Sequence, residues 1–145
     1  MDVQILKRVE LFNGLSNSEL EAVAAICRER RLNPSEVIAR QGEPGDEFYI
    51  ITDGFVEIVS EGKPEKVIVH LGKGQSIGEM SLIDQGPRSA TMRAAGEPAI
   101  VQTITQTDFD NLCNQDTRIG YVVMRNIAAD LSFKLRQRNL SDSRR

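Results

Sequence analysis

The sequence predicts a mainly β domain, an antiparallel β-roll or jelly roll with a helical segment before it and helices after it. Its 145 residues, 40% hydrophobic and 27% charged, fit one globular domain. Short runs rich in Ile, Val and Thr fill the centre of the chain, separated by turn signals that contain Gly, Pro or Asp-Gly. The resulting division is a helical segment over residues 1–33, a β-roll over 34–105, helices over 106–138 and a basic tail over 139–145.

The N-terminal segment is predicted to contain a helix that begins at a capping box. The Ser16 hydroxyl and the Glu19 carboxylate can each accept a hydrogen bond from a backbone amide at the helix start. Apolar residues from Leu20 to Cys27 recur at helical spacing, which predicts that one face packs on the core and includes Cys27. The helix is expected to end before Pro34.

The central segment is predicted to form antiparallel strands. Val56 and Ile58 alternate with differently facing neighbours, as do Val67 and Val69. His70, the sole histidine, is expected on a strand and facing solvent. One histidine cannot supply the imidazole ligands of a cupin-type metal site, so neither a metal nor a cofactor is predicted.

Two helices are predicted after the strands. A hydroxyl cap at Thr107 and acidic first-turn residues start the first helix, and the second runs from near Thr117 to about Arg138. The second helix has an apolar seam at coiled-coil spacing and another apolar face. The seam comprises Tyr121, Met124, Ala128, Leu131 and Leu135, and the other face comprises Ile119, Val122, Val123, Ile127 and Phe133.

A helix with two apolar faces has two surfaces to cover, for example its own domain and a partner helix. Residues 121–135 are therefore a candidate homodimer interface. An intramolecular core is the alternative for the same seam.

Charge and cysteine content exclude several classes of protein. A net charge of −3 and a pI of about 5.3 leave no global basic surface for nucleic acid, although seven basic and two acidic residues lie from Arg118 onward. Two cysteines are too few for a disulfide framework.

The sequence shows no signal peptide and no run that could span a bilayer, which predicts a soluble cytoplasmic protein. No catalytic motif is recognisable, so an enzyme is not expected.

Residues 76–92 carry the clearest binding signal. Gly78 permits a close backbone approach, and residues 79–83 can form a helical turn whose free amides face an anion. The guanidinium of Arg88 can bind a phosphate through two hydrogen bonds. Glu79 would repel a phosphate, so its carboxylate suits a neutral hydroxyl. A ligand that carries both a phosphate and a hydroxyl fits this combination.

This stretch resembles the phosphate-binding cassette of the cyclic-nucleotide-binding domain family, found in bacterial cyclic-AMP receptor proteins, protein kinase regulatory subunits and cyclic-nucleotide-gated channels. Residues 78–82 and 87–91 match the cassette at the family's spacing. Residues 42–46 and 48–51 resemble the family's first strands, and residues 11–16 resemble its N-terminal helical entry. The resemblance covers most of the chain and implies a regulatory module that binds a cyclic nucleotide.

The resemblance implies a role for each matching residue. Arg88 is expected to pair with the exocyclic phosphate oxygens, and Glu79 to accept a hydrogen bond from the ribose 2′-hydroxyl. The base is expected to lie against the barrel, under a lid from the last helix. The expected phosphate cradle comprises the backbone amides of Gly78, Met80, Ser89 and Ala90, and the small residue Ser81 is a further ligand-binding residue of the cassette. The wall comprises Ile58, Ile68 and Val69, and the lid comprises Leu131, Leu135 and Arg136.

The sequence indicates the choice of cyclic nucleotide and the output of the module less specifically than it indicates the cassette. A serine at position 89 favours cyclic AMP, because a threonine there is associated with cyclic GMP, and cyclic GMP stays open. For the cassette, the alternative is an arginine, Arg88, that pairs with Glu79 to pin two loops. For the whole chain, one alternative is a ligand-free scaffold or dimerisation domain. Another is a truncated sensor domain of a receptor-type transcription regulator. Because the chain ends at Arg145, DNA binding by this chain alone is not expected.

Overall fold

Eight strands form two antiparallel sheets in the computed structural model, which describes the backbone of residues 1–143 and the side chains of residues 1–139. The strands are β1 (Arg28–Leu32), β2 (Val37–Ala39), β3 (Glu47–Asp53), β4 (Val56–Ser60), β5 (Lys66–Leu71), β6 (Ser76–Ile77), β7 (Thr91–Ala94) and β8 (Ala99–Thr105). One sheet has the order β1-β8-β3-β6 and the other β2-β7-β4-β5. The predicted β-roll is confirmed.

Helices lie on both sides of the strands in the sequence, as predicted. They are α1 (Val3–Leu6), α2 (Asn17–Ala25), α3 (Gln106–Gln115) and α4 (Thr117–Ser143), with short 3₁₀ helices at Glu10–Phe12 and Glu79–Leu82. The capping box of α2 is present, because the Ser16 hydroxyl accepts from the Glu19 amide at 3.2 Å and the Glu19 carboxylate accepts from the Ser16 amide at 2.8 Å. Within residues 1–143, no helix has the length and apolar content to cross a membrane.

Strand β3 separates two apolar cores, because successive side chains of a strand point to opposite faces. Phe48 and Ile50 pack with the helices, whereas Tyr49 and Ile51 pack between the two sheets. All four residues are at most 2% exposed. Burial on both faces explains why this strand is a continuous apolar run instead of an alternating one.

The prediction that the N-terminal helix continues towards Pro34 is wrong, because strand β1 lies between the helix and that proline. Helix α2 ends at Ala25, and β1 follows it at the edge of its sheet. Most of its residues are charged and exposed. Charged side chains are a common feature of edge strands, because they discourage pairing with another chain. Such a strand lacks the apolar alternation by which strands are recognised.

The C-terminal helices begin close to their predicted positions. The hydroxyl that caps α3 belongs to Thr105, not to Thr107, and it accepts from the Asp108 amide at 3.1 Å. Helix α4 begins at Thr117 as predicted and continues beyond residue 138 to Ser143. Part of the predicted basic tail is therefore helical, and its last two residues, 144 and 145, lie outside the described residues.

Both cysteines are free and half-buried, as the absence of a disulfide framework predicts. Cys27 follows α2, and its thiol donates to the Val23 carbonyl at 3.4 Å. Burial raises the pKa of Cys27 to about 12. The thiol therefore stays protonated at neutral pH and packs against the helical core, as the apolar spacing predicts.

Candidate ligand-binding site

The predicted cassette surrounds a cavity of about 350 Å³, called the cassette cavity here. This volume lies within the range of small-molecule sites in proteins. Ile58 of β4 and Met92 of β7 are cross-strand partners and supply part of its apolar wall. The lining also includes Ile77, Gly78, Glu79, Met80, Ser81, Asp84, Gly86, Pro87, Arg88, Ser89 and Ala90.

Gly78 begins the cassette in a conformation that favours glycine. Its φ is +86°, and a Cβ atom at this position would lie 2.8 Å from Nη1 of Arg88 and 3.0 Å from the Glu47 carbonyl oxygen. The 3₁₀ helix Glu79–Leu82 follows immediately. The predicted close backbone approach and the predicted helical turn are both confirmed.

Arg88 is a buried cation. The residue is 9% exposed, and its Nη2 donates to the Glu47 carbonyl at 3.0 Å while the guanidinium carbon lies 5.4 Å from the centre of the Tyr49 ring. Burial raises the pKa of Tyr49 to about 12, so the phenol stays neutral and brings no negative charge.

The guanidinium of Arg88 has no ionic partner among the described residues, where no carboxylate lies within 4.0 Å of it. This contradicts the alternative in which Arg88 pairs with Glu79 to pin two loops. A guanidinium has five N–H donors, and a single hydrogen bond to the described residues leaves most of them for another acceptor.

The loop of residues 42–46 contacts both the backbone and the side chain of Arg88. The Gly42 amide donates to the Arg88 carbonyl at 2.9 Å, and the Arg88 amide donates to the Glu43 carbonyl at 2.8 Å. A Cβ atom on Gly45 would lie 2.7 Å from Nε of Arg88. The resemblance placed this loop at the first strands, and its contact with the cassette was not predicted. The two glycines of the loop could have indicated this contact, since Gly45 leaves room for the Arg88 side chain.

Two backbone amides of the predicted cradle are free in the described part of the chain. The amides of Ser89 and Ala90 donate to no backbone carbonyl there, and both residues line the cassette cavity beside Arg88. The Ser81 amide differs, because it donates to the Gly78 carbonyl at 2.9 Å. The free donors and the guanidinium therefore belong to consecutive residues of the cavity lining, where an anion would find several donors.

Glu79 lies at the boundary between two cavities. It lines the cassette cavity and also a second cavity of about 330 Å³ that reaches α4, called the α4 cavity here. Its Oε1 atom is 4.0 Å from Nζ of Lys134 on α4, and its side chain is 33% exposed. The carboxylate therefore remains accessible to a hydrogen-bond donor.

The predicted base wall divides into one residue that lines the cassette cavity and two that do not. Ile58 lines it, whereas Val69 is its cross-strand partner on β5 and is 42% exposed. A β-bulge in the β4–β5 pair leaves Ile68 as the extra residue, 60% exposed. Ile77 and Met92 also line the cavity and were not predicted, because strand pairing places Met92 beside Ile58, whereas Ile77 belongs to the other sheet and lines the same cavity from there.

The predicted lid residues lie on α4, and the cavity lining does not include them. Leu131 is 41% exposed, Leu135 is 59% exposed, and Arg136 is also exposed. Their contact with a ligand stays a prediction.

Comparison with known proteins gives the same result as the cassette geometry. The family described as "Cyclic nucleotide-binding domain" matches residues 29–116. A cyclic nucleotide-gated potassium channel of Rhizobium etli is 33% identical over 120 residues, which cover 83% of this chain and 32% of the channel. This chain thus spans about a third of the length of the channel relatives that it matches.

Two solved structures have the same fold. The N-terminal domain of a transcriptional regulator from Streptomyces coelicolor has a TM-score of 0.83 and 27% identity over 94% of each chain. The regulatory domain of Toxoplasma gondii PKA in a co-crystal with cAMP has a TM-score of 0.74 and 28% identity, over 90% of this chain and 48% of that one. The fold, the cassette and the match over most of the sequence agree, and the chain belongs to the cyclic nucleotide-binding domain family.

Proposed function

We propose that the cassette cavity binds a cyclic nucleotide, with cyclic AMP preferred over cyclic GMP. The observation that carries the proposal is the buried guanidinium of Arg88, which has no carboxylate within 4.0 Å among the described residues. A buried charge without a partner is unfavourable, and a cyclic phosphate would supply an anion whose oxygens match the guanidinium donors. The free amides of Ser89 and Ala90 would donate to the same phosphate.

The remaining parts of the nucleotide have matching groups in the cavity. Glu79 would accept a hydrogen bond from the ribose 2′-hydroxyl, since an ionised carboxylate is an acceptor only. Ile58 and Met92 would contact the base. The preference for cyclic AMP rests on a serine at position 89, and the relative crystallised with cAMP supports it.

Isothermal titration tests binding directly. We expect the chain to bind cyclic AMP more tightly than cyclic GMP and not to bind linear AMP. Arg88→Leu is expected to weaken binding about 100-fold or more, because it removes one partner of a buried charge pair. Arg31→Leu is a matched control, since the Arg31 side chain is 78% exposed on β1. The absence of both heat and a thermal shift with either cyclic nucleotide would contradict the proposal.

The output of this sensor would be movement of α4. A ligand that contacts both the cassette and the lid residues Leu131, Leu135 and Arg136 favours a closed helix position, with a coupling free energy of about 1–3 kcal/mol. Spin labels on α4 and on β4 measure this movement as a change in distance when cyclic AMP is saturating. Unchanged distances would contradict the signalling role and leave ligand binding intact.

A homodimer through residues 121–135 belongs to the same proposal. The exposed apolar side chains of Tyr121, Leu131 and Leu135 support it, since they form a stripe on a helix whose other face is buried. Sedimentation velocity over a range of concentrations tests it. A monomer at all concentrations, with and without cyclic AMP, would contradict this interface.

We place this sensor in the cytoplasm and assign it no catalytic step. The two free thiols, Cys27 and Cys113, suit a reducing compartment. Recovery of unchanged cyclic AMP after prolonged incubation with the chain, measured by chromatography, is the expected result. Formation of linear AMP would contradict the non-catalytic assignment.

A further inference from the structure

The side chain of Arg88 lies over the ring of Tyr49, a residue to which the proposed function assigns no role. The guanidinium carbon is 5.4 Å from the ring centre, and Tyr49 is 2% exposed. A cation within about 6 Å of an aromatic ring centre is attracted by the negative face of the ring, and this attraction is stronger where water is excluded. Tyr49 therefore stabilises the charge of Arg88 inside the protein.

The ring occupies the place that a carboxylate usually has beside a buried arginine. Among the described residues, no carboxylate lies within 4.0 Å of the Arg88 guanidinium, and one hydrogen bond, to the Glu47 carbonyl, uses its N–H groups. A carboxylate would neutralise the guanidinium and could occupy two of its donors. An aromatic ring carries no net charge and leaves the N–H donors to an anion. The cation is thus stabilised and still available.

Strand pairing fixes the position of the Tyr49 ring. Tyr49 lies in the middle of β3, opposite Thr103 of β8 on one side and Ile77 of β6 on the other. Its side chain packs in the core between the two sheets. The same strand supplies the Glu47 carbonyl that accepts from Nη2 of Arg88 at 3.0 Å. One paired strand therefore contacts the guanidinium twice, through a carbonyl and a ring, and restricts its orientation.

We propose that Tyr49 is a positioning residue for the phosphate site, and that its ring keeps the guanidinium of Arg88 in the binding orientation before the ligand arrives. This inference rests on the proposed function, because the anion is there the phosphate of a cyclic nucleotide. Arg88 lines the cassette cavity and Tyr49 does not, so Tyr49 acts through Arg88. The fraction of molecules with the guanidinium in place sets the apparent affinity, and loss of the ring lowers that fraction.

Titration of three variants with cyclic AMP tests this role. Tyr49→Leu keeps an apolar side chain in the core but removes the ring, and we expect binding about five- to tenfold weaker. Tyr49→Phe should bind like the unsubstituted chain, because the attraction belongs to the ring face and not to the hydroxyl. Phe48→Leu is the matched control, since it removes a buried ring of the same strand that packs with the helices and contacts Phe12. Its affinity is expected to be unchanged.

A series of fluorinated phenylalanines at position 49 separates the electrostatics of the ring from its packing. Fluorine atoms withdraw electron density from the ring face and weaken its attraction for a cation, while the shape of the side chain changes little. The affinity for cyclic AMP should therefore fall stepwise from phenylalanine to its mono-, di- and trifluoro derivatives. A ring that only fills the core gives no such trend. The series also provides the test if Tyr49→Leu does not fold.

Urea denaturation of the ligand-free chain tests the contact independently of binding. Tyr49→Leu should lower the free energy of unfolding less in the Arg88→Leu background than in the unsubstituted chain, because the contact is already absent from that background. An equal effect in the two backgrounds would mean that the ring does not stabilise the guanidinium, and it would overturn the proposal.

The outcomes separate the role of Tyr49 from the proposed function. If the unsubstituted chain binds neither cyclic nucleotide, the proposed function is wrong and the positioning role falls with it. If that chain binds cyclic AMP and Tyr49→Leu binds it equally or more tightly, the positioning role alone is overturned. The same holds if the fluorinated series shows no trend, or if Phe48→Leu weakens binding as much as Tyr49→Leu, since the loss then comes from the core and not from Arg88.

Discussion

The first half of α4, residues 117–127, and its second half, residues 128–139, form one continuous helix in two different environments. Ile119, Val123 and Ile127 of the first half are at most 2% exposed and belong to the helical core. In the second half, Leu131 is 41% and Leu135 is 59% exposed. Phe133, the last residue of the predicted second apolar face, is 62% exposed, so that face is buried against its own domain only as far as Ile127.

Polar contacts follow the same division. In the first half, the Asn126 amide donates to the carbonyls of Leu11 and Asn13, both at 2.9 Å. Arg118 pairs with Glu19 of α2. In the second half, the described ionic contact with the domain is that of Lys134 with Glu79 at 4.0 Å, which is longer than a hydrogen bond.

This difference agrees with the proposed output, in which one helix serves both the fold and its regulation. The first half is part of the core, so its position is fixed as long as the domain is folded. The second half contributes little to that core and can change position at small cost. Under the proposed output, a change at the cassette that reaches the second half would be passed along this continuous helix.

The largest expected effect is a difference in the free energy of unfolding between a substitution in the first half of α4 and one in the second half. Ile127→Ala removes a side chain that is 2% exposed, and we expect it to lower the free energy of unfolding by about 3 kcal/mol. Leu131→Ala removes a similar volume from a half-exposed position and should cost less than about 1 kcal/mol. Urea denaturation measures both. Similar losses for the two variants would remove the distinction between the halves.

How far sequence alone predicts this molecule depends on whether its signals are local. The cassette was predictable because Gly78, Glu79 and Arg88 lie within one short segment, in which a glycine that permits a close backbone approach precedes residues that can form a helical turn. The capping box at Ser16 was predictable for the same reason. In both places the residues that interact are neighbours in sequence.

The parts that sequence did not predict depend on pairing between distant segments. The β-bulge opposite Ile58 and the packing of Met92 beside it follow from strand register, which a sequence pattern leaves uncertain by a residue. Strand β1 was not predicted, because an edge strand with charged residues lacks the apolar alternation that indicates a strand. The contact of Lys134 with Glu79 joins the last helix to the cassette, and no local pattern indicates it.

The next comparison is between two residues of the second half of α4, and the measured quantity is the affinity for cyclic AMP. If Leu135 covers the base, Leu135→Ala should weaken cyclic AMP binding about fivefold, through loss of about 1 kcal/mol of apolar contact. Phe133→Ala is the control, because Phe133 is 62% exposed on the same helix and lies on its other apolar face. Calorimetry should show unchanged affinity for that variant. Equal losses would mean that the second half acts as a whole and that Leu135 has no specific lid contact.

The smallest expected effect is a pH dependence of stability from Glu19, which lies in the capping box of α2 and pairs with Arg118 in the first half of α4. The pKa of Glu19 lies below its ordinary value of 4.5, chiefly because its carboxylate accepts from the Ser16 amide and also because Arg118 donates to it. A carboxyl with a lowered pKa stabilises the fold above its unfolded pKa, and this contribution is lost as the pH falls through the folded one.

Glu19→Gln should therefore be less stable than the unsubstituted chain at pH 7, and the difference should narrow as the pH falls below 4.5. Urea denaturation at several pH values between 7 and 3 measures it. Asp130→Asn is the matched variant in the second half, where an exposed pair with Lys134 contributes about 0.5 kcal/mol or less. A Glu19→Gln difference that stays constant with pH would mean that the charge on Glu19 strengthens neither the capping box of α2 nor the pair with Arg118 of α4.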